Sequence, residues 1–263
     1  MGSDTIIAPK RESLFPISDA ANIISADINI FAILNISKIM ELNNIYLGFA
    51  LATFAGLSTG IGSGLALFTK SFNKRFLAIA LGLSAGIMLY VSFVELMQLS
   101  FESLTAIYGM NFGKLITVTG FVVGLLLMLL IDQLFDHHSI ADFISRSEDK
   151  NESVLIKAGV FSAIALAIHN FPEGFATFTA TVYDPAIGVT LATAIAVHNI
   201  PEGIAVSVPI YYATKSKRKA FYISFLSGLA EPIGALIGFL IFRTVFNEAL
   251  FGISFAFCAG IMV

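Results

Sequence analysis

Two six-residue strings decide the reading of this chain: His169-Asn170-Phe171-Pro172-Glu173-Gly174 and His198-Asn199-Ile200-Pro201-Glu202-Gly203. They differ only at Phe171 against Ile200, and they stand 29 residues apart (198 − 169). Apolar runs lead into both, residues 163–168 and 191–197. Histidine and glutamate are costly in hydrocarbon, and there they usually mark an ion or substrate path. The same pair placed twice points to one polar site, and the rest of the chain reads as its housing.

The composition sets the class. Of 263 residues, 57% are hydrophobic and 13% charged, against roughly 25% charged in a soluble domain. The mean hydropathy is +0.86. This is an integral membrane protein, whose partner is the lipid bilayer and not a nucleic acid. One cysteine, Cys258, excludes a disulfide framework and a Cys-rich metal cage. The histidines are four: His137, His138, His169 and His198.

Residues 1–42 form an N-terminal extension, disordered or interfacial. Residues 1–20 read as disordered, while 23–39 are apolar but interrupted by Asp27, Asn29, Asn35 and Ser37. No small-residue cleavage site follows an unbroken apolar core, so this is a poor signal peptide. Residues 43–263 form the transmembrane domain. Spans of about 20 residues or more can cross a bilayer, and they fall at 44–69, 76–98, 114–135, 156–181, 186–213, 220–243 and 246–263. Continuous rather than alternating apolar runs predict an all-α bundle and not a barrel. Glycines four apart, Gly56/Gly60, Gly82/Gly86, Gly120/Gly124 and Gly234/Gly238, predict close helix packing.

Basic residues set the orientation. Ten of them lie in the loops after the first, third and fifth spans, against five on the other side. The positive-inside rule puts those loops in the cytoplasm and the N-terminus outside. The longest, 136–155, reads as a mobile cytoplasmic segment. An internal echo pairs Ala85-Gly86-Ile87-Met88-Leu89 with Ala259-Gly260-Ile261-Met262-Val263, the pattern expected of an inverted-repeat transporter.

Within each string His and Glu are four apart, hence on one helix face. The proline between them cannot bond the carbonyl four residues back. Pro172 frees the Ile168 carbonyl and Pro201 the Val197 carbonyl, so each helix should kink there. The short turn at Tyr183-Asp184-Pro185 makes the two spans antiparallel neighbours, with both strings near mid-membrane. His169, Glu173, His198 and Glu202 then converge. Imidazole and carboxylate without thiolate suit Zn²⁺, Fe²⁺ and similar ions. Asn170 and Asn199 could serve an adjacent second ion, with the glutamates bridging. Glu231, in Glu231-Pro232 of the sixth span, is a further ligand candidate there. Glu95, near the outer end of the second span, and Asp132, near the inner end of the third, could line an entrance or exit. His137 and His138 could capture ions at the cytoplasmic mouth.

These paired strings resemble those of the ZIP (Zrt-/Irt-like) divalent-metal transporters, in their bacterial ZupT-type branch. Ser227-Gly228-Leu229-Ala230-Glu231 and Lys215-Ser216-Lys217-Arg218 are similar to that branch as well, and the resemblance covers about residues 45–263. It implies eight transmembrane helices with both termini outside, in a bacterial inner (plasma) membrane. It implies a binuclear centre on the fourth and fifth helices and metal movement into the cytoplasm. His169, Glu173, His198 and Glu202 would form a first site. Asn170, Glu173, Asn199, Glu202 and Glu231 would form a second. Against that pattern the seventh helix ends early and the eighth is absent, so the chain reads as a fragment.

The expected function is therefore import of a divalent metal, zinc first, with Fe²⁺, Mn²⁺, Co²⁺ and Cd²⁺ as further ions. The alternatives are an intramembrane zinc metalloenzyme and a membrane metal sensor. A zinc protease calls for His-Glu-x-x-His, whereas here Asn follows each His and Glu takes the fourth place. A Gly-rich surface makes a homodimer a reasonable expectation.

Overall fold

The structure, a computed structural model, describes residues 17–68, 74–135, 152–244 and 247–263. Every element among them is helical: α1 (Ile17–Phe68), α2 (Lys74–Tyr90), a π-helical turn (Val91–Leu96), α3 (Met97–Tyr108), α4 (Met110–Phe135), α5 (Glu152–Tyr183), α6 (Pro185–Thr214), α7 (Lys217–Gly228), α8 (Ala230–Thr244) and α9 (Glu248–Ile261). The chain divides into two units, Met1–Asn43 and Asn44–Val263. In the first, the described residues are helical from Ile17 onward, so 17–20 are helix where the sequence suggested disorder. All that follows concerns the second.

Five helices among the described residues are long and apolar enough to cross a membrane: Leu42–Phe68, Leu77–Tyr108, Met110–Ile131, Pro185–Tyr212 and Lys217–Arg243. They answer to the first, second, third, fifth and sixth expected spans. The fourth, expected at 156–181, is helical as part of α5 but is not among them. From Ala163 on, where its side chains are described throughout, Asn170, Glu173, Thr177, Thr179 and Thr181 are buried inside the protein, while Ile164 is exposed. The seventh, α9, is a shorter apolar helix of 14 residues. Asn247 caps it, accepting the Ala249 N–H at 2.8 Å.

The second span, which includes the π-turn, runs ten residues past its expected end at 98, to Tyr108. Residues 99–108 are rich in Ser, Thr and Glu, which hid the helix from a hydropathy reading. Their hydroxyls are nevertheless satisfied. Ser100 donates to Thr117 Oγ1 at 3.0 Å, Ser103 to the Glu248 carbonyl at 3.0 Å, and Thr105 to the Phe101 carbonyl at 2.6 Å. The helix stops at Gly109, whose φ of +79° suits glycine, and α4 starts at once, four residues before the expected 114.

α5 and α6 form a hairpin with Asp184 as the only residue between them. Asp184 Oδ1 accepts the Ala186 N–H at 2.8 Å, and Pro185 takes the first helical position, where its missing donor costs nothing. The expected antiparallel pairing is present. α5 runs beside α8 and α6 beside α1, and in both cases glycine brings main chain onto main chain. A Cβ on Gly174 would collide with the Glu231 carbonyl, and one on Gly203 with the Thr59 carbonyl. Gly120 and Gly124 of α4 pack on α9 in a similar way, as expected. Gly82 and Gly86 do not: nothing lies within 4 Å of the Cβ position of either. That expectation fails because both face away from the described helices.

Above the hairpin an apolar cluster joins Met88, Val91, Ala176, Leu191, Ile195 and Phe251. Rings of Phe242 and Phe251 stack within it at 4.4 Å. The sixth span is not one straight helix. It breaks at Leu229, between α7 and α8. Pro232 has no N–H for the Gly228 carbonyl, which favours the break there. Glu231 consequently lies in the first turn of α8, where the free N–H groups and the helix dipole favour a carboxylate.

Candidate metal site

The hairpin delivers the two strings to the same place. Glu173 Oε1 lies 3.4 Å from His169 Nε2 and 3.2 Å from His198 Nε2. His198 Nε2 lies 3.9 Å from Glu202 Oε2. The four side chains thus make a connected series, His169–Glu173–His198–Glu202, that crosses between the helices at Glu173 and His198. Both of these are fully buried, whereas the side chains of His169 and Glu202 are 21% and 17% exposed. The site is therefore reached from the side of His169 and Glu202.

A second group adjoins it. Asn199 Nδ2 donates to the Ala55 carbonyl at 2.9 Å and to Glu231 Oε1. Asn170 Nδ2 donates to the Ser227 carbonyl at 3.5 Å. Each amide nitrogen is spent on a neighbouring helix, which leaves the amide oxygen without a partner. Asn170, Asn199 and Glu231 are all fully buried.

The unpaired atoms are those a cation would use. Glu173 Oε1 and Oε2, His198 Nδ1 and Nε2, Glu202 Oε2, Asn170 Oδ1, Asn199 Oδ1 and Glu231 Oε2 are buried with no hydrogen bond of proper geometry. A buried polar group left unsatisfied costs about 1–3 kcal/mol, so eight of them in one place mark a site built for something other than the fold. Ligand atoms about 2.0–2.1 Å from a tetrahedral zinc lie about 3.3 Å from each other, and the closer imidazole–carboxylate spacings match. Among the described residues no three of His, Cys, Asp and Glu close into a ready-made cage. The contacts are pairwise, so a shared ion would have to draw the series together.

The remaining candidates stand apart. Glu95 is half-buried in the π-turn, well inside the Leu77–Tyr108 helix and not near its outer end as the sequence suggested. No described contact joins it to the site. His137 and His138, and the side chain of Asp132, lie outside the described residues. So does most of the loop expected at 136–155, although 152–155 already belong to α5.

Several supporting residues gave little signal in the sequence. Ser84 donates to the His198 carbonyl at 3.2 Å. Ser63 and Ser224 hydrogen-bond each other at 2.6 Å, and Ser224 donates to the Gly203 carbonyl at 3.1 Å. The Cys258 thiol reaches the Pro172 carbonyl at 3.7 Å. Among the described side-chain bonds, then, the carbonyls served inside the strings are those of Pro172, His198 and Gly203, not the Ile168 and Val197 carbonyls that the prolines free. Lone Ser residues in apolar runs were the only hint.

Known proteins resemble this chain over most of its length. The family model described as ZIP Zinc transporter matches residues 133–263. A protein named "Zinc transporter ZupT" in Chlorobium chlorochromatii (strain CaD3) is 50% identical over 227 residues, covering 84% of this chain and 85% of its own. The protein of that name in Oceanobacillus iheyensis is 51% identical over 229 residues, with 84% and 85% covered. In Clostridium perfringens (strain 13 / Type A) it is 44% identical over 241 residues, with 85% of each covered. Identity of this extent, with a family match that spans both His-Asn-x-Pro-Glu-Gly strings and Glu231, makes this chain a member of the ZIP family, in its ZupT branch.

Proposed function

We propose that this chain carries a divalent metal ion, zinc first, across a bacterial inner membrane into the cytoplasm. The observation that carries the reading is Glu173: a fully buried carboxylate, between two imidazoles, with neither oxygen hydrogen-bonded. Its relatives bear the name zinc transporter, and the donor set suits that ion. ZIP proteins are transporters and not enzymes, which sets aside the metalloenzyme alternative.

In this reading the site holds two ions. His169, Glu173, His198 and Glu202 take the first. Asn170, Asn199 and Glu231 take the second, with Glu173 and Glu202 shared between them. The incoming ion exchanges its waters for these oxygens and nitrogens at mid-membrane. It leaves inward past His169 and Glu202, the two partly exposed members. Proton uptake by the ligands assists release, because a protonated imidazole or carboxylate does not hold metal. The N-terminus lies outside, as the basic-residue count favours. The extension before residue 43 is an appendage to the transmembrane domain. Fe²⁺, Mn²⁺, Co²⁺ and Cd²⁺ follow zinc as further cargo, and the working unit is a homodimer.

Zinc flux into proteoliposomes tests the reading. The double variant His169→Ala, Glu202→Ala should take up zinc no faster than empty vesicles. Uptake at the unaltered rate would overturn the site assignment. Tight zinc binding without flux would favour a membrane sensor instead.

A further inference from the structure

Around the hairpin, α1 and the α7–α8 span are laid out as equivalents. Gly56-Leu57-Ser58-Thr59-Gly60-Ile61-Gly62 matches Gly228-Leu229-Ala230-Glu231-Pro232-Ile233-Gly234 at a constant offset of 172 (228 − 56, 234 − 62), with Gly, Leu, Ile and Gly identical. Packing repeats along with the sequence. Gly174 of the first string abuts the Glu231 carbonyl, and Gly203 of the second abuts the Thr59 carbonyl. Gly234 abuts the Phe171 carbonyl, and Gly62 abuts the Ile200 carbonyl. Gly56 and Gly228 abut each other's carbonyls. Hydrogen bonds repeat too: Asn170 donates to the Ser227 carbonyl and Asn199 to the Ala55 carbonyl, again 172 apart (227 − 55). A local two-fold relation therefore exchanges the two strings and, with them, α1 and α8.

That relation carries Glu231 onto Thr59 (231 − 59 = 172). Thr59 is fully buried, and its Oγ1 has no hydrogen-bond partner. Among the described residues only one other buried threonine hydroxyl, that of Thr177, shares this, because the carbonyl four residues back is normally within reach. Thr105, Thr117, Thr179, Thr181, Thr190 and Thr214 all use it here. For Thr59 that carbonyl belongs to Ala55, and the Asn199 amide occupies it. The Thr59 hydroxyl is thus left with lone pairs to offer, on the side of the centre opposite Glu231.

We propose that Thr59 is an uncharged oxygen ligand of the second ion, the counterpart of Glu231 across the centre. This rests on the two-ion reading above. It makes the second position chemically lopsided, with a carboxylate from α8 and a hydroxyl from α1. The neutral side keeps the position one negative charge short of what a symmetric pair would supply, so the ion is held less tightly and can leave.

The test is isothermal titration of the purified full chain, in detergent, with zinc alone. Two ions should bind. Thr59→Val keeps the shape and removes the oxygen. It should leave the first ion unchanged and weaken the second by roughly tenfold or more, the usual scale for losing a supporting ligand. Thr59→Ser, which keeps the oxygen, should stay within about twofold of the unaltered chain, a small part of that scale. If Thr59→Val binds both ions like the parent, or if Thr59→Ser falls as far as Thr59→Val, Thr59 is packing and the inference is overturned. Glu173→Gln separates the two levels, because it should lose both ions. A parent chain that binds fewer than two zinc ions overturns the two-ion reading itself, and this inference with it.

Discussion

Glu173 of α5 reaches across the hairpin to His198 of α6, with its Oε1 3.2 Å from the imidazole Nε2 and both side chains fully buried. This contact is where the two strings become one site. Glu173→Gln keeps the shape and removes the charge. It removes a proposed metal-ligand charge, so zinc flux into proteoliposomes should fall by roughly 10-fold to 100-fold. Flux within twofold of the parent would remove Glu173 from the proposed path.

Asn199 ties three helices together, since it sits on α6 and donates to Ala55 of α1 and Glu231 of α8. Asn199→Ala leaves the buried Glu231 carboxylate without its amide donor and opens the Ala55 carbonyl to the Thr59 hydroxyl. The expected loss is about 2–3 kcal/mol, seen as a lower melting temperature in detergent. Adding Glu231→Gln should cost less than the sum of the two single changes, by about 1 kcal/mol or more. Strict additivity would show that the bond contributes nothing.

Two pairs of helical glycines should respond in opposite ways. Gly174→Ala and Gly203→Ala drive a methyl into the carbonyls of Glu231 and Thr59, and overpacking of this kind typically costs about 1–3 kcal/mol. Gly82→Ala and Gly86→Ala meet nothing and should stabilise their helix by up to about 1 kcal/mol. Thermal melts of the four variants decide it, and equal effects in both pairs would contradict the packing described.

The Ser84 hydroxyl on the His198 carbonyl supports a ligand through its own main chain. Ser84→Ala should cost about 1 kcal/mol of stability and reduce zinc affinity modestly without changing the number of ions bound. A lost ion in the titration would show that Ser84 does more than hold the helix.

Much of this was legible because charge in an apolar run is rare. The convergence of the His169/Glu173 and His198/Glu202 pairs and the short turn at Tyr183-Asp184-Pro185 follow from spacing alone. The end of the second span was not legible, because Ser100, Ser103 and Thr105 lower the hydropathy while their hydroxyls are satisfied within the fold. Nor was the burial of Thr177, Thr179 and Thr181 on the fourth span legible, because hydropathy cannot distinguish polar residues facing the interior from polar residues facing water. Gly82/Gly86 and Gly234/Gly238 carry the same four-residue spacing, and only the neighbouring helix tells them apart. Thr59 was invisible for a similar reason: its hydroxyl is free only because Asn199, 140 positions along the chain (199 − 59), occupies the Ala55 carbonyl.

The contacts of Gly174 and Gly203 with the carbonyls of Glu231 and Thr59 are made by main chain, which has no rotamers to adjust. The gap across the centre therefore behaves like a fixed gauge. Zinc takes oxygen and nitrogen at about 2.0–2.2 Å, whereas calcium needs six to eight oxygens at about 2.3–2.6 Å. To gather that many oxygens, the proposed centre would have to push four helices apart at the points where they already touch, so a site rich in carboxylates would turn calcium away by coordination number while ions content with fewer donors enter.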